Sequence, residues 1–385
     1  MPEPLEAMSP PVLPAARPWT LWKTSEGSTG RLLQLCAGYY LAYIVTGLVV
    51  KAFTAAPQTP LGTPPMNAIA FLSYNTLGAN LTCLLPVLAL GWFRIRSTRL
   101  MTVGGVTFPS ELSYIIPSGI CTAIIIPTTT LMYTLPISVM VAMVIMRASV
   151  IVIGRVVDGL QIAQGILQKR IYWEENAAVA FAVLAACIEL LGSHTGGFAF
   201  LHHRAAVIIF TSYIAAYAIR IYIMNYFKNT RPKGAPLDNT GYFGLEQISA
   251  SATMALMALV VLLGPRVFPS WLQAPQVVDF VAAIQQPAPG WLWATFSGLA
   301  FGLVAFFSVF IFMFKGRTAT FTGLMNRLTS LVAGTTATVL GHWLFRSRLP
   351  SLQNWISLGF VLVAVTFLTR AERRRAQELK QAREI

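Results

Sequence analysis

Charged residues are scarce in this sequence, and they are missing from long stretches of it. Only 11% of the 385 residues are Asp, Glu, Lys or Arg, whereas 55% are hydrophobic. A soluble globular protein carries roughly 25% charged residues. The apolar blocks recur along the whole chain, so a single large core does not account for them. The deficit excludes an ordinary soluble domain and indicates an integral membrane protein.

Cysteine, histidine and acidic residues are also few, which limits the chemistry that the chain can perform. The four cysteines lie inside apolar blocks without a CxxC pair, and no histidine stands at a metal-ligand spacing from them. This pattern predicts neither a metal site nor a cofactor. Asp158 lacks the further spaced aspartates of a metal-dependent phosphotransfer site. We find no combination of nucleophile, base and orienting residue, so the sequence predicts a protein that is not an enzyme.

Lys and Arg outnumber the acids and give a net charge of +14, but they occur in short clusters between apolar blocks. No soluble basic domain is available to bind a phosphate backbone, so nucleic acid is not an expected partner. With the N-terminus in the cytoplasm, most of the clusters fall on the cytoplasmic side, as the positive-inside rule requires. The pattern predicts a multi-pass protein of a plasma or bacterial inner membrane, with both termini cytoplasmic.

Ten apolar blocks are each long enough to cross a bilayer, which takes about 20 helical residues. Backbone groups in lipid must be satisfied internally, so these blocks are expected to be helices. The predicted helices span 31–53, 66–92, 111–134, 137–158, 177–194, 205–227, 245–264, 291–314, 318–345 and 353–370. A short surface helix is predicted at 277–284. The fold class is therefore an all-α polytopic membrane protein.

The ten helices divide into two sets of five, over residues 31–194 and 204–370. Five is an odd number, so the second set enters the membrane upside down relative to the first. Such an inverted-topology repeat is common in secondary transporters. Residues 1–30 form a Pro-rich cytoplasmic tail without the apolar region of a signal peptide. Residues 371–385 form a basic cytoplasmic tail.

Helices four and nine share a pattern that supports the duplication. A central Arg is followed by a hydroxylated residue two positions later and by Gly seven positions later. These residues are Arg147, Ser149 and Gly154 in the first half, and Arg327, Thr329 and Gly334 in the second. In both halves, basic residues, a Trp and another apolar helix then follow in the same order.

This order of elements resembles the drug/metabolite transporter superfamily (EamA-like carriers), whose members have ten helices in two five-helix repeats. The similarity is clearest at 135–191 and 318–368. The two arginine regions look more like the nucleotide-sugar and related solute-carrier branch. The Gly-Glu pair that is usual before helix five is replaced here by Gln168-Lys169-Arg170. The resemblance implies transport and leaves the cargo open.

Two arginines lie deep in the predicted membrane region. Arg147 and Arg327 are each about 15 Å from a helix end, at 1.5 Å per residue. An Arg at that depth costs at least ~2.5–3.5 kcal/mol, so each should face a polar cavity or an acid. We expect both, with Asn326 and Thr329, to bind an anionic group of the substrate. The alternative is that they pair with protein carboxylates or carbonyls and hold the bundle together.

Other polar groups are placed inside the helices. Arg220 shares a helical face with Tyr213 and Tyr217, which predicts a polar wall of the substrate cavity. Alternatively, Arg220 extends its head group toward the cytoplasmic surface. Glu189 is the candidate site for a coupling proton, or it neutralises an arginine. Glu246 lies at the predicted start of helix seven, where the helix dipole alone accounts for an acid.

These observations predict a secondary transporter that moves a small polar or anionic organic solute by alternating access through a central cavity. The alternative within transport is a flippase for a phosphate-bearing lipid, whose headgroup the same arginines would bind. A membrane-embedded enzyme or a non-transporting scaffold is the remaining class. The expected partners are a small-molecule substrate and the lipid bilayer. The substrate, the coupling ion and the oligomeric state are not predicted.

Overall fold

The computed structural model describes residues 28–54, 62, 64–97, 99–134, 139–167, 172–191, 204–232, 237–345 and 352–384. The helices in these ranges are α1 (Thr29–Thr54), α2 (Ala68–Ala89), α3 (Leu112–Thr134), α4 (Val139–Ala163), α5 (Trp173–Leu191), α6 (Arg204–Thr230), α7 (Asn239–Val267), α8 (Pro275–Gln285), α9 (Trp291–Phe312), α10 (Ala319–Phe345) and α11 (Leu352–Glu384). Most of the predicted N-terminal tail and the connection between α5 and α6 lie outside the described residues.

Every predicted apolar block contains one long helix, and the predicted surface helix is α8. Six helices in the described residues are long and apolar enough to cross a membrane. They are Thr29–Thr54, Ala68–Ala89, Leu112–Thr129, Ala206–Thr230, Asn239–Val267 and Trp291–Phe312. At this level the structure agrees with the prediction of a helical membrane protein.

A small β-hairpin corrects the expectation that the fold is entirely α-helical. Strands β1 (Leu100–Val103) and β2 (Val106–Pro109) pair antiparallel between α2 and α3. Gly104 and Gly105 connect them with φ values of 58° and 83°. Two consecutive residues with positive φ form the tight turn that matches the twist of paired strands, and glycine adopts it without steric cost. The prediction from hydropathy did not identify the Gly104-Gly105 pair as a turn.

Two helix boundaries differ from the predictions for local reasons. Helix α7 begins at Asn239 rather than at 245, because the Asp238 side chain accepts a hydrogen bond from the Gly241 N–H at 2.9 Å. An aspartate in this position stabilises the first helical turn. Helix α11 continues to Glu384 instead of ending at 370. Its extension is rich in Ala, Glu, Arg, Gln and Lys, which favour helix, so most of the predicted tail is helical.

The two ends of the helix bundle differ in their polar contacts. At the end where α4 and α6 finish and α7 and α10 begin, Arg231 lies 3.8 Å from Glu111, and Arg374 lies 2.6 Å from Glu174. We call this the basic end. At the opposite end, the Tyr74 hydroxyl of α2 donates to the Ala283 carbonyl of α8 at 2.6 Å. We call it the α8 end.

Helices from the two predicted halves pack against one another. Helix α2 packs on α9, α3 on α7 and α6, α1 on α9 and α10, α4 on α6 and α10, and α5 on α11. The α2–α9 crossing is very close: a Cβ on Gly78 would lie 1.7 Å from the Thr295 carbonyl oxygen. Small residues permit such an approach of two backbones in a membrane. This packing places α1, α4, α6 and α10 around the centre of the bundle.

Candidate substrate-binding site

The two arginines singled out in the sequence lie in one site. Arg147 of α4 and Arg327 of α10 are only 6% and 9% exposed. Tyr39 of α1 is buried and lies near both guanidinium groups. The Arg147 Nη1 would lie 3.7 Å from a Cβ on Gly334 of α10, the helix that carries Arg327, although the two arginines are 180 residues apart in the sequence. Their joint role in binding an anionic group stays a prediction.

Each arginine stacks on a tyrosine. The Arg147 Cζ lies 5.3 Å from the centroid of the Tyr43 ring, and its Nη2 donates to the Tyr43 hydroxyl at 2.7 Å. The Arg327 Cζ lies 4.9 Å from the centroid of the Tyr217 ring. A guanidinium within about 6 Å of an aromatic centroid is attracted by the electron density on the ring face. These contacts orient both cations without neutralising them.

The two stacking tyrosines each belong to a tyrosine pair. Tyr39 and Tyr43 of α1 have ring centroids 5.6 Å apart, and Tyr213 and Tyr217 of α6 have centroids 4.7 Å apart. Residues four apart are neighbours on one helical face. Tyr213 and Tyr217 were predicted to belong to the site from the sequence, whereas the pair in α1 was not. The signal that identifies it is Tyr-x-x-x-Tyr in the first helix of both halves.

Arg327 forms an ion pair with no carboxylate in the described residues. Its electrostatic partners are the hydroxyl groups of Tyr217, Tyr213 and Tyr39, and Tyr217 also forms a hydrogen bond with it. Its Nε and Nη2 are buried, and no group in the described part of the chain accepts a hydrogen bond from them. A buried donor without an acceptor is costly, more so when it is charged. An anion with two oxygens matches the planar fork of an arginine.

Asn326 and Thr329 do not accompany Arg327 in the way that the sequence suggested. Asn326 points to α9, where its Nδ2 donates to the Ser308 hydroxyl at 3.0 Å. The Thr329 hydroxyl donates to the Met325 carbonyl of its own helix at 2.7 Å. Successive residues of a helix are separated by about 100°, so neighbours in sequence project in different directions. The ligand roles of both residues remain predictions.

Arg220 occupies a different environment. Its Nε and Nη2 donate to the two Glu246 carboxylate oxygens at 2.8 and 2.9 Å, and Glu246 is fully buried. Ser118 and Thr122 of α3 also donate to that carboxylate, at 2.6 and 3.3 Å. The alternative that Arg220 extends toward the surface is wrong, because a buried acid holds it. Glu246 is not a helix-start residue either, since α7 begins two turns earlier.

Tyr217 stands between the two arginine environments and interacts electrostatically with both Arg220 and Arg327. The predicted cluster of Tyr213, Tyr217 and Arg220 is therefore close in space, but the Nε and Nη2 atoms of Arg220 donate to Glu246. Glu189, the predicted coupling residue, belongs to α5, and its side chain lies outside the part of the structure that is described. Its role stays a prediction.

Comparisons with known proteins identify a fold but no family. No family model matches the sequence, and no curated protein matches it. Twenty chains of solved structures match. One of them, described only as "Crystal structure of protein", aligns with a TM-score of 0.50 and 15% identity, covering 90% of this chain and 99% of that chain. At this identity the likeness shows that the chain shares its overall helical fold with a solved structure.

Proposed function

We propose that this chain is a secondary transporter for a small anionic organic solute, with the site around Arg147 and Arg327 as its binding site. The observation that carries the proposal is Arg327: it is buried, stacked on Tyr217, and without an acid partner among the described residues. A structural arginine at such depth would be expected to have a carboxylate, as Arg220 does. An arginine that binds substrate keeps its donors for the ligand.

The proposed architecture is ten transmembrane helices in two inverted repeats, and the packing supports it. We match α1–α5 with α6, α7, α9, α10 and α11, in that order. The α1–α10 contact then corresponds to α6–α4, the α2–α9 contact to α7–α3, and the α1–α9 contact to α6–α3. All six contacts are present. A pseudo-twofold axis between the two halves would give each helix contact a counterpart between the matching helices. An arrangement of ten helices without that symmetry would not be expected to show such pairs of contacts.

A pair of matching joints supports the same repeat. In α9, Ser297 accepts a hydrogen bond from the Asn75 side chain of α2 at 2.9 Å. In α3, Ser118 donates to the Glu246 side chain of α7 at 2.6 Å. Both serines are followed by a glycine that lies against the backbone of the partner helix. The two joints occupy corresponding helices, and only the second contains an ion pair.

The chemistry of the centre favours an anion over a neutral solute. Two guanidinium groups and four tyrosine side chains lie there, and neither arginine forms an ion pair with a carboxylate of the described residues. In a medium of low dielectric constant, a carboxylate or phosphate gains more from such cations than it would in water. The positive-inside rule places the basic end in the cytoplasm. The resemblance to the drug/metabolite transporter superfamily supports transport and does not name the solute.

Uptake into proteoliposomes tests the proposal. Purified protein would be supplied with phosphoenolpyruvate, citrate, glutamate and uridine monophosphate, each beside an uncharged analogue. We expect saturable uptake of an anion, driven by an ion gradient or a counter-substrate without ATP, and at least a tenfold loss in Arg327→Ala. Arg373→Ala, in the exposed part of α11, is the matched control. Uptake that requires ATP would contradict the proposal, as would translocation of a labelled phospholipid without uptake of any anion.

A further inference from the structure

Helices α4 and α10 touch closely at the basic end. Gly154 of α4 is buried, and a Cβ at this position would lie 3.1 Å from the Ala319 carbonyl oxygen and 3.5 Å from the Thr320 Cα. Both contacts are with the backbone of the first turn of α10, which cannot move aside as a flexible side chain could. The approach of the two helices therefore depends on the absence of a side chain at Gly154.

One turn further along α4, Asp158 binds the start of α10. Its Oδ1 accepts from the Ala319 N–H at 2.8 Å, its Oδ2 accepts from the Thr320 N–H at 2.6 Å, and the residue is 1% exposed. A carboxylate at a helix N-terminus is stabilised by the free N–H groups and the helix dipole. Here the carboxylate comes from another helix. The Asp158 cap therefore ties α4 to α10, and the two repeats to each other, at the basic end.

The corresponding residues near the α8 end make no such contacts. Gly334 stands seven residues after Arg327, as Gly154 does after Arg147. Among the described residues, only the Nη1 and Nη2 atoms of Arg147 come within 4 Å of a Cβ built on Gly334, at 3.7 and 3.9 Å. The counterpart of Asp158 is Thr338, whose hydroxyl donates to the Gly334 carbonyl of its own helix. The two corresponding glycines therefore have different neighbours: Gly154 lies against the backbone of α10, and Gly334 lies beside the guanidinium of Arg147.

From this difference we infer that the structure is one of two alternating states, closed at the basic end by the Asp158 cap and open toward the α8 end. The inference rests on the proposed transport function. In the other state, Gly334 would lie against the start of α4, and the Asp158 cap would be broken. The repeat supplies a glycine for both closures, but it supplies a carboxylate for only one. Closure at the basic end is therefore the more strongly stabilised.

Arg147 links the substrate site to the change between the two closed states. Its guanidinium now lies beside Gly334, in the space that α4 and α10 would need in order to meet near the α8 end. Closure there requires the guanidinium to move. An anion bound between Arg147 and Arg327 would draw it toward the centre of the site. The same arginine would thus bind the solute and permit the closure that encloses it.

Site-directed labelling tests the inference without knowledge of the substrate. In a protein whose native cysteines are replaced, single cysteines would be placed at Thr320, fully buried at the basic end, and at Thr335, half-buried in the outer half of α10. We expect a membrane-impermeant maleimide to react at position 335 and not at 320. Asp158→Asn keeps the shape but replaces one of the two acceptor oxygens by an NH2 donor, and should raise the labelling rate at 320 about fivefold. The rate at 335 should fall.

The two glycines provide a matched pair of variants, of which only Gly154→Val should change the labelling pattern of the wild type. Gly154→Val obstructs closure at the basic end, so labelling should rise at position 320 and fall at 335. Gly334→Val obstructs closure near the α8 end, so position 335 should stay reactive and 320 protected. If Gly154→Val does not fold, Asp158→Asn and Gly334→Val still decide. The inference is overturned if folded Asp158→Asn leaves position 320 protected, or if folded Gly334→Val makes position 320 reactive.

The labelling result and the transport result can fail separately. Labelling that shifts as expected, in a protein that takes up no anion, would contradict the proposed cargo and leave the two-state closure intact. Anion uptake in a protein whose labelling does not respond to Asp158→Asn would support the transport function. It would contradict the role of the Asp158 cap in closing the basic end.

Discussion

Arg220 of α6 and Arg327 of α10 are buried to nearly the same degree, yet their surroundings differ completely. Arg220 is held by both oxygens of Glu246 and is 6% exposed. Arg327 is 9% exposed, stacks on Tyr217, and has two N–H groups without a described acceptor. Burial therefore does not separate these two arginines. The presence of a carboxylate partner does.

The largest expected effect comes from removing the negative charge of Glu246, the partner of Arg220. Glu246→Gln leaves Arg220 buried without a counter-charge, which should lower the free energy of unfolding by about 3–5 kcal/mol. Denaturation in mixed micelles measures this change. The double variant Arg220→Leu and Glu246→Leu is the control, because it removes both charges and should recover most of the loss. If the single variant is as stable as wild type, the pair does not hold α6 to α7.

The stacking contact should have a smaller effect, on binding rather than on folding. Tyr217→Leu removes the ring beneath Arg327, and the affinity for a bound anion should fall by about 0.5–2 kcal/mol. Tyr217→Phe keeps the ring and should keep most of the affinity. Titration of both variants with the anion that the uptake assay selects would measure the difference. Equal losses in the two variants would show that the hydroxyl, and not the ring, positions Arg327.

The hydrogen bond between Asn75 and Ser297 should contribute less to the free energy of unfolding than the ion pair between Arg220 and Glu246. Asn75→Ala removes the hydrogen bond to Ser297 between α2 and α9. Hydrogen bonds between membrane helices contribute about 0.6 kcal/mol on average, so the free energy of unfolding should fall by about that amount. A loss as large as that of Glu246→Gln would mean that the two joints are energetically equivalent despite their different charge.

Arg327→Ala should have the smallest effect on folding. It removes a buried cation that has no described acid partner, and such a cation costs free energy to keep in the membrane. We therefore expect the free energy of unfolding to stay the same or to rise. A clear loss of stability would show that Arg327 holds the bundle together, which is the structural alternative that the sequence left open.

Much of the fold was accessible from the sequence because hydropathy and helix length are dictated by the bilayer. All ten long helices and the short α8 lie where the apolar blocks predicted them. The hairpin at Gly104 and the start of α7 at Asp238 were missed. They depend on backbone conformation and capping rather than on hydropathy.

The candidate site was only partly accessible. Arg147 and Arg327 were found because a charge deep in an apolar helix is conspicuous and because the two occur in matching patterns. The Glu246 partner of Arg220 was missed, since a pairing between residues on different helices leaves no local pattern. Asn326 was selected for its place beside Arg327 in sequence, although a helix turns adjacent residues to different faces.

The most direct test of the account compares anion-induced stabilisation in three proteins. Melting temperature would be measured for wild type, Arg327→Ala and the Arg220→Leu, Glu246→Leu double variant, with and without the anions of the uptake panel. We expect at least one anion to raise the melting temperature of the wild type and of the double variant, and not that of Arg327→Ala. If Arg327→Ala is stabilised as strongly as wild type, Arg327 does not bind the anion and the proposed site is wrong.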